Sequence, residues 1–363
     1  MDHSRIIAMW LLYRRYRKNK RNRIHWVHPI NEKREESGLF YTLFEDLRKY
    51  GKKFFNYFRM SISTFDDLHQ RLKCNLRRQN TKMKNCIQPE QMLAIAIRYL
   101  ASGCTFTDLH YNYRIDISTA SSIVRDVCSS IRSTLQEECI PTPTKGRWET
   151  IAAEFEKRAN FPHCLGSLDV ADSNYRFVYV NIGCFGKDCD SSIFKKYSLW
   201  ESIETNNQEL PEESCLPGTE SPNVPYFFVG DEAFALHRHL LRPYGGSKLT
   251  LKKRIFNYRL CRASRYVECT FGILSNKWRI LHRPINVNPD FAVDIVRACV
   301  VLHNFVRDRD GYETEDTMTI TGLEDLPSEE TARGGLGANN LRNVLADYFL
   351  TDIGAVKWQM SKV

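Results

Sequence analysis

Apolar positions recur at helical spacing over residues 89–103. Met92, Leu93, Ile95, Ala96, Tyr99 and Leu100 carry the period, Pro89 opens the run and Gly103 closes it. A short helix is expected over Phe106 to Tyr113. A longer one starts at Ile117-Ser118-Thr119, with Ile123, Val127 and Ile131 four apart. Upstream, Ser63 to Leu68 reads as a capped helix start, and the dense aromatics of Phe54 to Met60 read as core. Pro141-Thr142-Pro143-Thr144 breaks the helical part, and Trp148 to Ala159 is a short amphipathic helix.

Beyond Ala159 the pattern shortens to strands. Phe161 to Val170 reads as a strand with Asp169 near its end, Asp172-Ser173-Asn174 as a turn, and Arg176 to Gly183 as a second strand. A helix is expected from Asp190 to Phe194 with Asp190 as cap, then a mobile polar loop over residues 201–224. Tyr226 to Val229 is a third strand, which leads to Asp231, and Glu232 to Leu241 reads as a helix. Val267, Phe271, Leu274, Trp278 and Leu281 form a helical stripe, and Asp290 to Val306 another helix. Residues 309–338 are acidic and poor in hydrophobics, which predicts disorder, and Leu341 to Leu350 a last helix.

At 363 residues, 42% of them hydrophobic, the chain can bury more than one core. Its net charge of +9 is uneven: residues 1–150 hold 27 Lys and Arg against 15 Asp and Glu. That excess favours a polyanionic partner, because Lys and Arg displace counterions from phosphates. Residues 14–23 carry seven cations; they read either as a nuclear-import signal or phosphate-gripping arm, or as a solvated helix face. The twelve cysteines contain no CxxC pair, so structural zinc is not expected and most should be reduced core residues. Ile6 to Leu12 is too short to cross a bilayer.

The candidate chemistry lies in carboxylates. From His237 to Arg283 there are twelve Lys or Arg and one acid, Glu268. Asp169 and Asp231 each follow a predicted strand, a placement that lets acids converge on one cleft. Two or three carboxylates suffice to bind Mg²⁺, and paired hard cations activate water and stabilise the leaving oxygen in phosphodiester cleavage. Gly272, one turn beyond Glu268, would leave room for metal and phosphate. Each acid also has a structural reading: Asp231 as helix cap, Asp169 as an exposed strand-end acid, Glu268 as the ion-pair partner of Arg265. The helices of residues 90–135 have a helix-turn-helix layout, in which Ser118, Thr119, Ser121, Ser122 and Arg125 would face the major groove. The rival is a plain bundle that touches no DNA. Lys252, Lys253, Arg254 and Arg265 are further candidate DNA contacts.

Seven stretches carry a family likeness. They are Trp26-Val27-His28-Pro29-Ile30-Asn31, Phe54-Phe55-Asn56-Tyr57-Phe58-Arg59-Met60, Leu93 to Ala101, Phe161 to Asp169, Phe228-Val229-Gly230-Asp231, Glu268 to Leu274, and Leu302-His303-Asn304-Phe305. In this order they make the chain resemble the PIF/Harbinger transposases and Harbinger transposase-derived nucleases, DDE superfamily endonucleases. The resemblance implies an α/β, RNase H-like mixed sheet flanked by helices, preceded by an all-α, helix-turn-helix-like domain. It implies a divalent metal, Mg or Mn, a DNA substrate, and Asp169, Asp231 and Glu268 as both catalytic and metal-binding residues. Asp190 falls in a recurrent motif as a cap or secondary ligand. The domains expected are a basic segment 1–50, a DNA-binding unit 51–145, a nuclease domain 146–310 with the 201–224 insertion, and an acidic tail 311–363. Nuclear location, DNA and a separate DNA-binding partner protein complete the expectations.

One departure stands out. In the family, the first Asp is followed by Gly-Lys-His or similar and a second strand; here Asp169 runs straight into Val170-Ala171-Asp172-Ser173-Asn174-Tyr175-Arg176. The sheet is then expected to lack one strand, with the first strand turning directly onto the third. A one-residue change of register would turn Asp169 to the other face. The expectation is a weak or inactive nuclease, with a non-catalytic DNA-binding or partner-binding protein as the alternative.

Overall fold

The computed structural model describes residues 7, 9–14, 25, 27–80, 85–167, 171–180, 182–183, 198–205, 210–232, 234–246, 248–311 and 336–362. The expected helices of the first half are present as Ile62–Leu76, Pro89–Ser102, Phe106–Tyr113 and Ile117–Cys139. Gly103 ends the second of these at φ 66°, and a Cβ there would stand 2.8 Å from the Arg279 carbonyl oxygen. Both the backbone conformation and the close approach therefore select glycine. Thr105 and Asp108 form a reciprocal capping box on the next helix. Asp116 stands at the N-cap of Ile117–Cys139, and its Oδ1 accepts a hydrogen bond from Asn31 Nδ2 at 2.7 Å. That bond ties the N-terminal segment to the helical unit.

The hydrophobic side chains gather in two clusters that do not follow chain order. The first joins Phe44, Phe54, Phe58 and Phe65 to the apolar faces of the Pro89 and Ile117 helices. It also takes in Ile295, Leu302 and Phe305 from Pro289–Asp310, which returns from the C-terminal part and packs along the Ile117 helix. Each phenylalanine so buried contributes about 2 kcal/mol. The second cluster surrounds the sheet and includes Trp148, Phe155, Phe161, Phe227, Phe228, Phe256, Leu345 and Phe349.

The sheet comprises β1 (Cys164–Ser167), β4 (Phe227–Val229) and β5 (Leu240–Leu241), all parallel, in the order β1-β4-β5. A separate antiparallel pair is made by β2 (Ser214–Cys215) and β3 (Asn223–Val224). The helices Lys145–Ala159 and Leu251–Lys277 pack on β1. The first opens with Thr144 as its cap, so the Pro-rich break passes directly into a helix.

Several expectations need correction. No helix spans the described part of 232–241. Instead Phe228 N donates to His239 O and Gly230 N to Leu241 O, which draws Leu240 and Leu241 into the sheet. Asp231 therefore caps no helix. The described residues of 176–183 form no strand; Phe177 makes one isolated antiparallel bridge to Ala171. The 201–224 stretch is not wholly loop: Ser198–Glu204 is a helix, β2 and β3 follow, and Ile203, Leu216 and Val224 are buried. Burial of these few apolar residues outweighs the polar average of the segment. The last helix begins earlier than expected, as Leu336–Tyr348. Apart from Arg14, the cation run 14–23 lies outside the described residues, as do Asp190 to Phe194 and residues 312–335. No described cysteine is in a disulfide, and Cys128, Cys139, Cys164, Cys269 and Cys299 are buried. Among the described residues no helix is long and apolar enough to cross a membrane.

Candidate active site

Asp231 follows β4 by two positions and is exposed. β1 and β4 run side by side, with Ser167 opposite Val229. Asp169 comes two positions after Ser167 in the sequence and lies outside the described residues. The strands are buried apolar segments, and their carboxyl ends lead to Gly230 and Asp231 on β4 and Arg242 on β5.

Glu268 lies on Leu251–Lys277, which packs against both β1 and β4. Ile255, Phe256, Leu260, Ala263, Ile273 and Leu274 bury one side of this helix. Arg254, Cys261, Arg265 and Glu268 are exposed. Arg254 and Arg265 are about three turns apart, so they and Glu268 share one line along the helix. Gly272 continues that line, and a Cβ there would meet nothing within 4 Å. Among the described residues Glu268 makes no ion pair with Arg265, which removes that structural reading. No three His, Cys, Asp or Glu side chains gather as a metal site among the described residues.

The turn after β1 is built from polar groups. Asp172 is fully buried, and its Oδ1 accepts from Asn174 N at 2.9 Å and Arg176 N at 3.0 Å. Its Oδ2 faces Arg147 Nη2 at 3.2 Å. Burial raises the Asp172 carboxyl above its usual range, and those hydrogen bonds and the Arg147 charge oppose the rise. His303 and Asn304 support the same turn from Pro289–Asp310. His303 Nε2 lies 2.8 Å from Tyr175 O, and burial pushes its pKa down to about 3. Asn304 bonds both backbone groups of Phe177 and also Cys139 O. The sequence signal for these supports was visible: two polar residues inside an apolar helical run, at Leu302-His303-Asn304-Phe305.

Of the expected DNA contacts, Ser118, Ser122 and Arg125 are exposed, and Thr119 and Ser121 are half-buried. The Arg125 guanidinium lies 4.5 Å from the Phe291 ring centroid, against the Pro289 helix. Lys252 pairs with Asp347 at 2.5 Å, and Lys253 lies 5.2 Å from the Tyr244 ring.

Residues 154–304 match the family model described as DDE superfamily endonuclease. The curated protein "Protein ALP1-like" of Arabidopsis thaliana is 24% identical over 302 residues, covering 73% of this chain and 73% of that protein. No solved structure matches the chain. The matched stretch includes Asp231, Glu268, the turn at Asp172 and the His303–Asn304 support. The Ile117 helix and the Leu336–Tyr348 helix lie outside it.

Proposed function

We propose that this chain is a metal-dependent nuclease of transposase descent that hydrolyses DNA phosphodiester bonds, with cleavage weakened by the short connection behind Asp169. The observation that carries the reading is the register of β1 and β4. Ser167 pairs with Val229, and Asp169 and Asp231 follow these residues by the same two positions. The family match over residues 154–304 supports the same chemistry.

The donor chemistry of Asp169, Asp231 and Glu268 suits Mg²⁺ or Mn²⁺. All three offer hard carboxylate oxygens, and Asp231 and Glu268 are exposed on elements that pack together. A bound cation would supply activation of water and stabilisation of the leaving oxygen. The chain's own part is to hold these carboxylates and to bind the DNA backbone along Arg254 and Arg265. The open surface at Gly272 admits the phosphate. In this reading the cation run 14–23 serves nuclear import.

The weakening follows from the turn. Ala171, two residues beyond Asp169 in the sequence, makes only an isolated antiparallel bridge to Phe177 in place of the longer strand that the resemblance implies, and this short connection is the ground for the weakening. A misplacement of about 1 Å can cost about 100-fold in rate. The same observation favours a second reading, a DNA-binding protein without cleavage. The test is plasmid nicking by the full chain with Mg²⁺ or Mn²⁺, beside D231A and E268Q. Slow metal-dependent nicking is expected, lost in both variants with unchanged melting temperature. Wild-type nicking no faster than D231A overturns the nuclease reading, and rapid nicking overturns the weakening.

A further inference from the structure

The C-terminal segment beyond Tyr348 is built onto the helix that carries Glu268. Gly354 makes its turn: its N–H donates to Thr351 Oγ1 at 3.1 Å, and a Cβ there would collide with the Tyr348 carbonyl oxygen. Arg259 is buried on the helix Leu251–Lys277, and its Nη1 donates to Gly354 O at 3.3 Å and to Gln359 Oε1 at 3.0 Å. Gln359 is buried as well, and its Nε2 donates to Phe349 O at 2.8 Å. Buried polar groups persist where their hydrogen bonds are made, and here the partners lie in the segment itself. These contacts hold residues 349–359 in place without using the side chain of Trp358.

Trp358 is 37% exposed. The guanidinium carbon of Arg262 lies 4.2 Å from its ring centroid, and the Tyr258 ring 5.9 Å from it, edge to face. Tyr258 and Arg262 stand four and eight positions after Arg254, and Arg265 three positions after Arg262, so all four share one face of the helix. Arg254 and Arg265 are exposed, and among the described residues neither they nor Arg262 pair with a carboxylate. Trp358 lies beyond the matched residues 154–304, and the carboxylate chemistry gives it no task. Cations on one face with an exposed indole fit a strand whose bases are unstacked: phosphates take the guanidinium groups, and bases stack on aromatic rings and guanidinium planes. Paired bases are already stacked on one another, so the indole gains a partner only where the strand is unpaired. An apolar protein partner would instead bury three guanidinium groups without acceptors.

We propose that Trp358, with Tyr258 and Arg262 around it, is a stacking platform for an unpaired base of the DNA strand whose phosphates follow Arg254 and Arg265. The substrate class is then DNA with unpaired nucleotides, at a frayed end or a bubble, rather than uniform duplex. This deepens the DNA-nuclease reading and rests on its substrate.

The experiment is fluorescence anisotropy of the full chain with a labelled DNA single strand and with the same strand carrying abasic positions. Stacking of one base is worth about 5- to 150-fold in affinity. W358A is expected to weaken binding of the intact strand by about that factor, to leave binding of the abasic strand unchanged, and to be rescued by W358F. R265Q should lower the slope of log affinity against log salt by about 0.7 on both strands. Equal wild-type affinity for the intact and abasic strands overturns the platform without any variant, and so decides the matter should W358A fail to fold. A folded W358A that binds the intact strand like wild type overturns it. So does one that loses both strands equally, since Trp358 then only supports the segment. Base-dependent binding through Trp358, in a protein that never nicks DNA, upholds the platform while the nuclease reading fails. Nicking by a protein whose strand binding ignores the bases does the reverse.

Discussion

The side-chain amide of Asn304 closes both backbone groups of Phe177. Its Oδ1 accepts from Phe177 N at 3.0 Å, and its Nδ2 donates to Phe177 O at 2.7 Å. The pattern is that of a neighbouring strand, supplied by one side chain 127 residues away. Nδ2 also donates to Cys139 O at 2.9 Å, so one buried amide joins the end of the Ile117 helix, the turn after β1 and the Pro289 helix.

Replacing Asn304 with leucine leaves these buried backbone groups without partners. An unsatisfied buried group costs about 1–3 kcal/mol. N304L is expected to lose about 2–4 kcal/mol of stability on this basis, read by urea denaturation. A loss below about 1 kcal/mol would show that water or another group replaces the amide.

Acid should destabilise the protein through His303. Its folded value is about 3, whereas an unfolded histidine titrates near about 6.5. Between these values the unfolded chain binds more protons, so stability falls as pH drops, by about 1.4 kcal/mol per unit. Above about pH 6.5 this residue adds no pH dependence. Burial also lowers His163 and His239, which act in the same direction. H303Q keeps a donor for Tyr175 O and should show a shallower loss of stability between pH 6 and pH 4. Parallel stability–pH curves for the two proteins would contradict this.

Gly272 offers a test that separates folding from function. Nothing stands within 4 Å of a Cβ there, and glycine inside a helix costs about 0.5–1 kcal/mol relative to alanine. G272A should therefore raise the melting temperature. If the open surface admits phosphate, the same variant should bind DNA more weakly. Greater stability with unchanged DNA affinity would remove Gly272 from the site.

Arg125 tests the helix-turn-helix reading. A partly exposed cation–π contact such as Arg125 with Phe291 is worth about 0.5–1 kcal/mol. R125Q should cost no more than that in stability. It should weaken DNA binding with a shallower salt slope if this helix meets DNA. A small stability change with intact binding supports the plain bundle.

The helices of residues 62–139 were legible because capping residues, Pro89, Gly103 and apolar spacing are local signals. β1 and β4 were legible for the same reason, as short apolar runs. The segment after Asp231 was not: Leu236, Leu240 and Leu241 fit a helix by spacing, and only hydrogen bonds offered by β4 turned it into β5. The sequence by itself marked Asp169, Asp231 and Glu268 as candidate acids and showed the basic segment around Glu268. Tertiary structure alone decided that Ser167 and Val229 stand in register, that Asn304 and His303 support the turn behind Asp169, and that Arg262 comes to lie over Trp358. These depend on contacts between residues far apart in the chain, which no local pattern encodes.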